Sequence, residues 1–110
     1  MKTVTIQIST QAGYEGEGAN RKARRVLTSI EAYPTPCPYL FAHKVYKTYR
    51  LTQTPTGLYL LDNIRTLKEA KEYARRINEV ADLSRPIREM SQNSAMMDII
   101  REHRRQRYQR

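Results

Sequence analysis

Asn20-Arg21-Lys22-Ala23-Arg24-Arg25-Val26-Leu27-Thr28-Ser29-Ile30 is the stretch on which the order of elements turns. It follows an alternating N-terminal segment and a glycine-rich loop, and it runs into a proline-rich break. Ala23, Val26, Leu27 and Ile30 recur at the three- and four-residue spacing of one helix face, and Asn20 is a residue type that caps helix N-termini. Arg21, Lys22, Arg24 and Arg25 fall mostly elsewhere on that wheel. The stretch therefore predicts a helix with one basic side. Pro34-Thr35-Pro36-Cys37-Pro38 ends it, because proline removes an amide donor and restricts the residue before it.

Upstream, Val4, Ile6 and Ile8 alternate with polar residues over 3–9, which predicts a half-buried strand. Gly13, Gly16 and Gly18 then mark a loop. Downstream, 43–53 is rich in strand-forming residues, Thr54-Pro55-Thr56-Gly57 has turn chemistry, and 58–61 returns as the second strand of a hairpin. Thr66-Leu67-Lys68-Glu69 matches a capping box and starts a helix whose apolar stripe is Leu67, Ala70, Ala74, Ile77 and Ala81, flanked by Tyr73 and Val80. Arg85-Pro86 interrupts that pattern. A last amphipathic helix runs from about Asn93, with Met96, Ile99, Ile100 and His103 on one side.

The predicted order is strand, helix, strand, strand, helix, helix. It implies an α+β fold with a small antiparallel sheet of about three strands and helices packed on one face. Residues 1–84 form the expected compact domain. Residues 85–110 form a linker and a basic amphipathic helix that can dock, with a mobile end.

The 110 residues suit one domain, and an apolar content of 39% leaves a modest core that eight tyrosines supplement. No run of 18 apolar residues exists, and the N-terminus alternates instead of forming a signal sequence. A cytoplasmic protein without membrane association is expected. The one cysteine, Cys37, has no disulfide partner in the chain and no zinc-like spacing to histidine, so neither metal nor cofactor is expected.

The 20 Lys and Arg exceed the 11 Asp and Glu by a net +9, and this excess is clustered. Arg21, Lys22, Arg24 and Arg25 contribute +4; Lys44, Lys47 and Arg50 contribute +3. Arg101, Arg104, Arg105, Arg107 and Arg110, less Glu102, contribute +4. Fourteen of the 20 cations are Arg, whose planar fork matches phosphate and stacks on bases, so nucleic acid is the expected partner. Read as one continuous strand, Lys44, Tyr46, Thr48, Arg50 and Thr52 share a face that could contact phosphates and stack a base. A structural role competes there, since Arg50 would stand opposite Asp62 across the hairpin as an ion pair.

Two fragments resemble nucleic-acid modules. Gly16-Glu17-Gly18 with Arg21, Lys22, Ala23 and Arg24 after an alternating strand resembles the last strand and helix of double-stranded-RNA-binding domains, which implies phosphate contacts at that helix start. The hairpin followed by Ile64-Arg65-Thr66-Leu67-Lys68-Glu69-Ala70 is similar to the sheet-and-helix DNA-binding domains of some phage integrases. Each covers less than a third of the chain.

Catalytic groups are sparse. His43 beside Lys44, and His103-Arg104-Arg105 near Tyr108, offer no convergent acid, base and nucleophile. Glu15 and Glu17 lie on the glycine-rich loop, and Cys37 has no evident base beside it. The expectation is a small non-enzymatic nucleic-acid-binding protein. The alternative is a phage-type inhibitor or adaptor that binds an acidic or nucleic-acid-binding surface of a protein partner through Met96, Ile99 and Ile100, residues that could also pair two copies as a homodimer. A third reading is a ribosome-dependent RNA-cleaving toxin working by cationic stabilisation.

Overall fold

A strand with one apolar face, as Val4, Ile6 and Ile8 create, needs a neighbour to satisfy its backbone and cover that face. In the computed structural model, which describes residues 2–16 and 18–108, the neighbour is the stretch predicted as a helix. β1 (Val4–Glu15) pairs antiparallel with β2 (Lys22–Pro34), matching Val4 with Ala32, Ile6 with Ile30, Ile8 with Thr28 and Thr10 with Val26. The prediction of a basic helix over 20–30 is thus corrected to a strand. Val26, Thr28, Ile30 and Ala32 also alternate, three of these four are β-branched, and their face continues that of β1. The helical spacing of Ala23, Val26, Leu27 and Ile30 was a coincidence of the same residues. The ladder shifts register between Gln11 and Tyr14, where Gly13 takes a φ of 93°.

The chain continues as a meander of β3 (Leu40–Val45), β4 (Thr48–Gln53) and β5 (Tyr59–Ile64). The sheet has five strands in chain order, followed by α1 (Leu67–Val80) and α2 (Ser94–Tyr108). This replaces the expected three strands with interleaved helices. The segment 43–53, predicted as one strand, is two strands joined by the two-residue turn Tyr46-Lys47, with Val45 facing Thr48. The turn at 54–57 is where the sequence put it: Gln53 N donates to Leu58 O at 2.9 Å.

Paired residues share a face, so Ala42 and Leu51 lie together on the side the helices cover. There they meet Leu40, Leu61 and Ile64 from the sheet and Ala70, Tyr73, Ala74 and Ile77 from α1 in one buried cluster. Thr66 caps α1, accepting from Glu69 N at 3.1 Å. The segment after residue 84 adds Met90, Met96, Ile99 and Ile100 to the same core. Two buried or bridging amides hold it there. Gln53 Nε2 donates to Leu83 O at 2.7 Å and also to Arg85 O. Asn93 Nδ2 donates to Val80 O at 2.7 Å while its Oδ1 accepts from Met96 N at 3.0 Å.

The opposite face of the sheet is also largely hidden. His43 and Thr52 are buried on it and share a 2.7 Å hydrogen bond between Nε2 and Oγ1. Along β2 the same face continues through Ala32, with Ile6 on its β1 neighbour, and both are buried. The β1–β2 ribbon therefore curls across this side until Ser9 N donates to Gly57 O at 2.8 Å. A Cβ on Gly57 would lie 2.9 Å from Ser9 N, and its φ is +72°. Replacing Gly57 by Ala should cost about 1–3 kcal/mol, from the left-handed backbone and the displaced ribbon. Urea unfolding would show a lowered midpoint, and amide exchange would show earlier loss of protection at Ser9 than in β4.

Candidate nucleic-acid interface

Beyond the Ser9–Gly57 junction the ribbon continues as the β1–β2 ladder, with Thr10 Oγ1 3.1 Å from Thr28 Oγ1 across it. Its far end carries Arg21, Lys22, Arg24 and Arg25, all exposed. Because this segment is a strand, Lys22 and Arg24 lie on the face of Val26, whereas Arg25 lies on the face of Leu27. Positive charge is therefore displayed on both sides of the ribbon, a correction to the single basic side expected of a helix. Arg25 reaches back along the ribbon, donating from Nε to Ser9 Oγ and from Nη2 to Ser9 O, both at 3.0 Å. At the root, Glu31 accepts from the hydroxyls of Thr3 at 2.7 Å and Thr5 at 2.8 Å. Those bonds hold its carboxyl below the usual carboxylate range. Glu17 and Arg110 lie outside the described residues, as do the side chains of Glu15, Arg107 and Tyr108.

The second cluster is divided. The two-residue turn reverses the parity of the strand, so Lys44 stands with Tyr49 on the helix side and Arg50 with His43 on the other. The common face expected for Lys44, Tyr46, Thr48, Arg50 and Thr52 does not form. Lys44 Nζ lies 6.0 Å from the Tyr49 ring centre. Arg50 Nη2 pairs with Asp62 Oδ2 at 3.0 Å, and its guanidinium stacks 4.3 Å from the centre of the Tyr59 ring. The cross-strand ion pair offered as the structural role of Arg50 is present. At the tip, Tyr46 is 96% exposed and Lys47 is exposed beside it. They line a cleft of about 450 Å³ with Val45, Thr48, Asp62 and Asn63.

The third cluster lies on α2. Arg101 pairs with Asp98 at 3.1 Å, and Arg104 and Arg105 are exposed. Glu102 reaches across to Arg76 of α1 at 2.6 Å. Met96, Ile99 and Ile100, the residues assigned to a protein partner or second copy, are buried in the core. A partner could touch them only by lifting α2 off the sheet. His103 is also buried: its Nε2 lies 2.6 Å from Asp62 O on the edge strand β5, and its ring packs edge-on against Tyr73 at 5.1 Å. This seats Arg104 in a small cleft with Tyr59 and Asp62. Asp62 is the wall shared with the Tyr46 cleft, so the second and third clusters adjoin. The ribbon stands apart, because Gly57 and Tyr46 sit at opposite ends of β4, roughly 20 Å for six residues.

Of the groups considered for catalysis, His43, His103 and Cys37 are built into the interior. Cys37 is fully buried, and burial raises its thiol pKa. Both histidines are buried with polar partners. No cluster of three or more metal-ligating side chains occurs among the described residues, and none of their helices is long and apolar enough to cross a membrane. What sequence reasoning missed is the turn at Tyr46-Lys47, which has no Gly, Asn or Asp to mark it, and with it the cleft between that turn and β5. No protein family, curated protein or solved structure matches the chain.

Burial, reinforced by the charge of Arg50 and partly opposed by Asp62, lowers the His43 pKa from 6.5 to about 4. The unfolded chain therefore takes up a proton in that interval that the folded protein refuses. The stability His43 contributes is complete above about pH 7, falls as the pH drops from 6.5 towards 4, and levels off below; the whole change is about 3 kcal/mol. Urea midpoints between pH 7.5 and 4 should follow that course, and His43→Gln should remove this part of the slope.

Proposed function

We propose that the protein is a non-enzymatic nucleic-acid-binding module whose β1–β2 ribbon enters a groove of a duplex. The observation that carries this reading is the placement of three cations, Lys22, Arg24 and Arg25, on both faces of an exposed two-stranded ribbon, with Arg21 immediately before its second strand. A two-stranded ribbon has the width of the major groove, and a ribbon seated there has a phosphate backbone on either side. Cations on one face could neutralise only one wall; here Lys22 and Arg24 serve one and Arg25 the other. Phosphate contacts of this kind set position and orientation without reading sequence. Lys44 and Lys47 of the second cluster and Arg104 and Arg105 of the third extend the attraction over the rest of the molecule through their field.

The test is fluorescence anisotropy with a labelled duplex DNA, duplex RNA and single strands from 50 to 200 mM salt. Four phosphate contacts give a log-log salt slope of about −3.6 on duplex DNA. Neutralising Arg21, Lys22, Arg24 and Arg25 to Gln should remove most of that slope while the circular dichroism spectrum stays that of the parent, because none of these side chains belongs to the buried core. Absence of binding at 50 mM salt, or an unchanged slope in the neutralised protein, would exclude the ribbon as the contact.

A further inference from the structure

Among the described residues only two outside glycine have positive φ, Tyr46 at 59° and Asn63 at 54°. Both line the same cleft, between the β3–β4 turn and the edge strand β5. Asparagine tolerates this conformation through its short polar side chain. A tyrosine does not, and its Cβ makes the left-handed region cost about 1–2 kcal/mol. The first residue of such a two-residue hairpin is ordinarily Gly or Asn. At 96% exposure the Tyr46 ring gains nothing from burial that would offset this cost. The turn needs the conformation but not the tyrosine ring, and strained positions of this kind cluster at ligand sites.

The surroundings of the ring define that ligand. Lys47 supplies an exposed cation next to it, and Arg104 another beyond the shared Asp62 wall. Asp62, the one carboxylate in the cleft, is neutralised by Arg50 at 3.0 Å, so it does not repel an anion. Asn63 brings a carboxamide, which both donates and accepts hydrogen bonds. An aromatic face, a neighbouring cation and an amide are the groups that hold a nucleotide: the ring stacks the base, the cation meets the phosphate, and the amide meets the base edge. A base inside a duplex has both faces covered by its neighbours and cannot reach Tyr46.

We infer that this cleft takes an unpaired nucleotide, so that the preferred ligand is a duplex flanked by single strand, with the ribbon in the groove and the unpaired base on Tyr46. The separation of roughly 20 Å along β4 between the ribbon junction and Tyr46 corresponds to about six base pairs of duplex rise. The inference rests on the nucleic-acid reading above and narrows its substrate class.

Anisotropy with one labelled duplex, blunt or carrying a five-nucleotide overhang with 2-aminopurine, separates the two. The protein should bind the overhang form more tightly than the blunt form and quench the 2-aminopurine. Tyr46→Ala and Tyr46→Gly should weaken overhang binding about 5- to 100-fold, abolish the quench and leave blunt-duplex affinity unchanged, whereas Tyr46→Phe keeps all three near the parent values. Tyr46→Gly should melt at or above the parent temperature, because glycine relieves the backbone strain; a lower melting temperature would mean that the ring serves the fold and would overturn the inference. Equal affinity of Tyr46→Ala and parent for the overhang form would overturn the inference and leave the ribbon reading standing. Failure of every ligand to bind at 50 mM salt would remove both.

Discussion

The contact between two backbones at Gly57 and Ser9 governs the shape of everything outside the helical core. The 2.8 Å bond from Ser9 N to Gly57 O forms only because position 57 has no Cβ, which would meet Ser9 N at 2.9 Å. It pins the middle of a long ribbon to the far turn of the sheet and so rolls β1 and β2 over the face that the helices leave open. Ile6, Ala32, His43 and Thr52 are buried by this curl. It also divides the ribbon into a root that shares in a core and an end that does not. A two-stranded ribbon by itself is marginal in water, so the end has the low local stability of segments that adapt to a ligand.

The helical side solves a different problem, that of closing a core with few large apolar residues. Ala70 and Ala74 bring the α1 backbone close to Leu51 and Ile64, and Met96, Ile99 and Ile100 complete the cover from α2. Apolar contact is supplemented by polar groups placed where the chain would otherwise drift. Gln53, fully buried, holds the 83–85 segment by its carbonyls, and Asn93 links the end of α1 to the start of α2. His103 covers the Asp62 carbonyl on the open edge of β5, which both seats α2 and blunts an edge that could pair with another strand. Removing α2 would expose apolar side chains and leave the Asp62 carbonyl without its His103 partner.

Much of this was readable from local chemistry. Alternation in β1, the Pro-Gly turn at 54–57, the Thr66 cap and the apolar stripes of the two helices are decided by residues within a few positions of one another. The stretch 20–30 is not. Its apolar residues satisfy helical and strand spacing together, and the choice is made by β1, whose apolar face and unpaired backbone need a partner that a helix cannot supply. The turn at Tyr46-Lys47 was hidden for the opposite reason: flanking residues are all strand formers, and nothing in Val45-Tyr46-Lys47-Thr48 is a turn residue. Missing it put Lys44 and Arg50 on one face, since a two-residue loop reverses the parity on which such assignments rest.

These two misreadings bear directly on the candidate site. A helix over 20–30 presents its cations to one side, as a surface contact with a polyanion would use; a ribbon presents them to both, which favours insertion between two rows of phosphates. In the proposed complex, Lys22, Arg24 and Arg25 would draw a phosphate backbone to the end of the ribbon. Approach of such a ligand would be directed to the free end, with Tyr46 kept behind it by the Ser9–Gly57 bond. Loosening that bond would let the end keep its charge while losing its register with Tyr46, so the two proposed contacts would depend on one glycine that touches neither ligand.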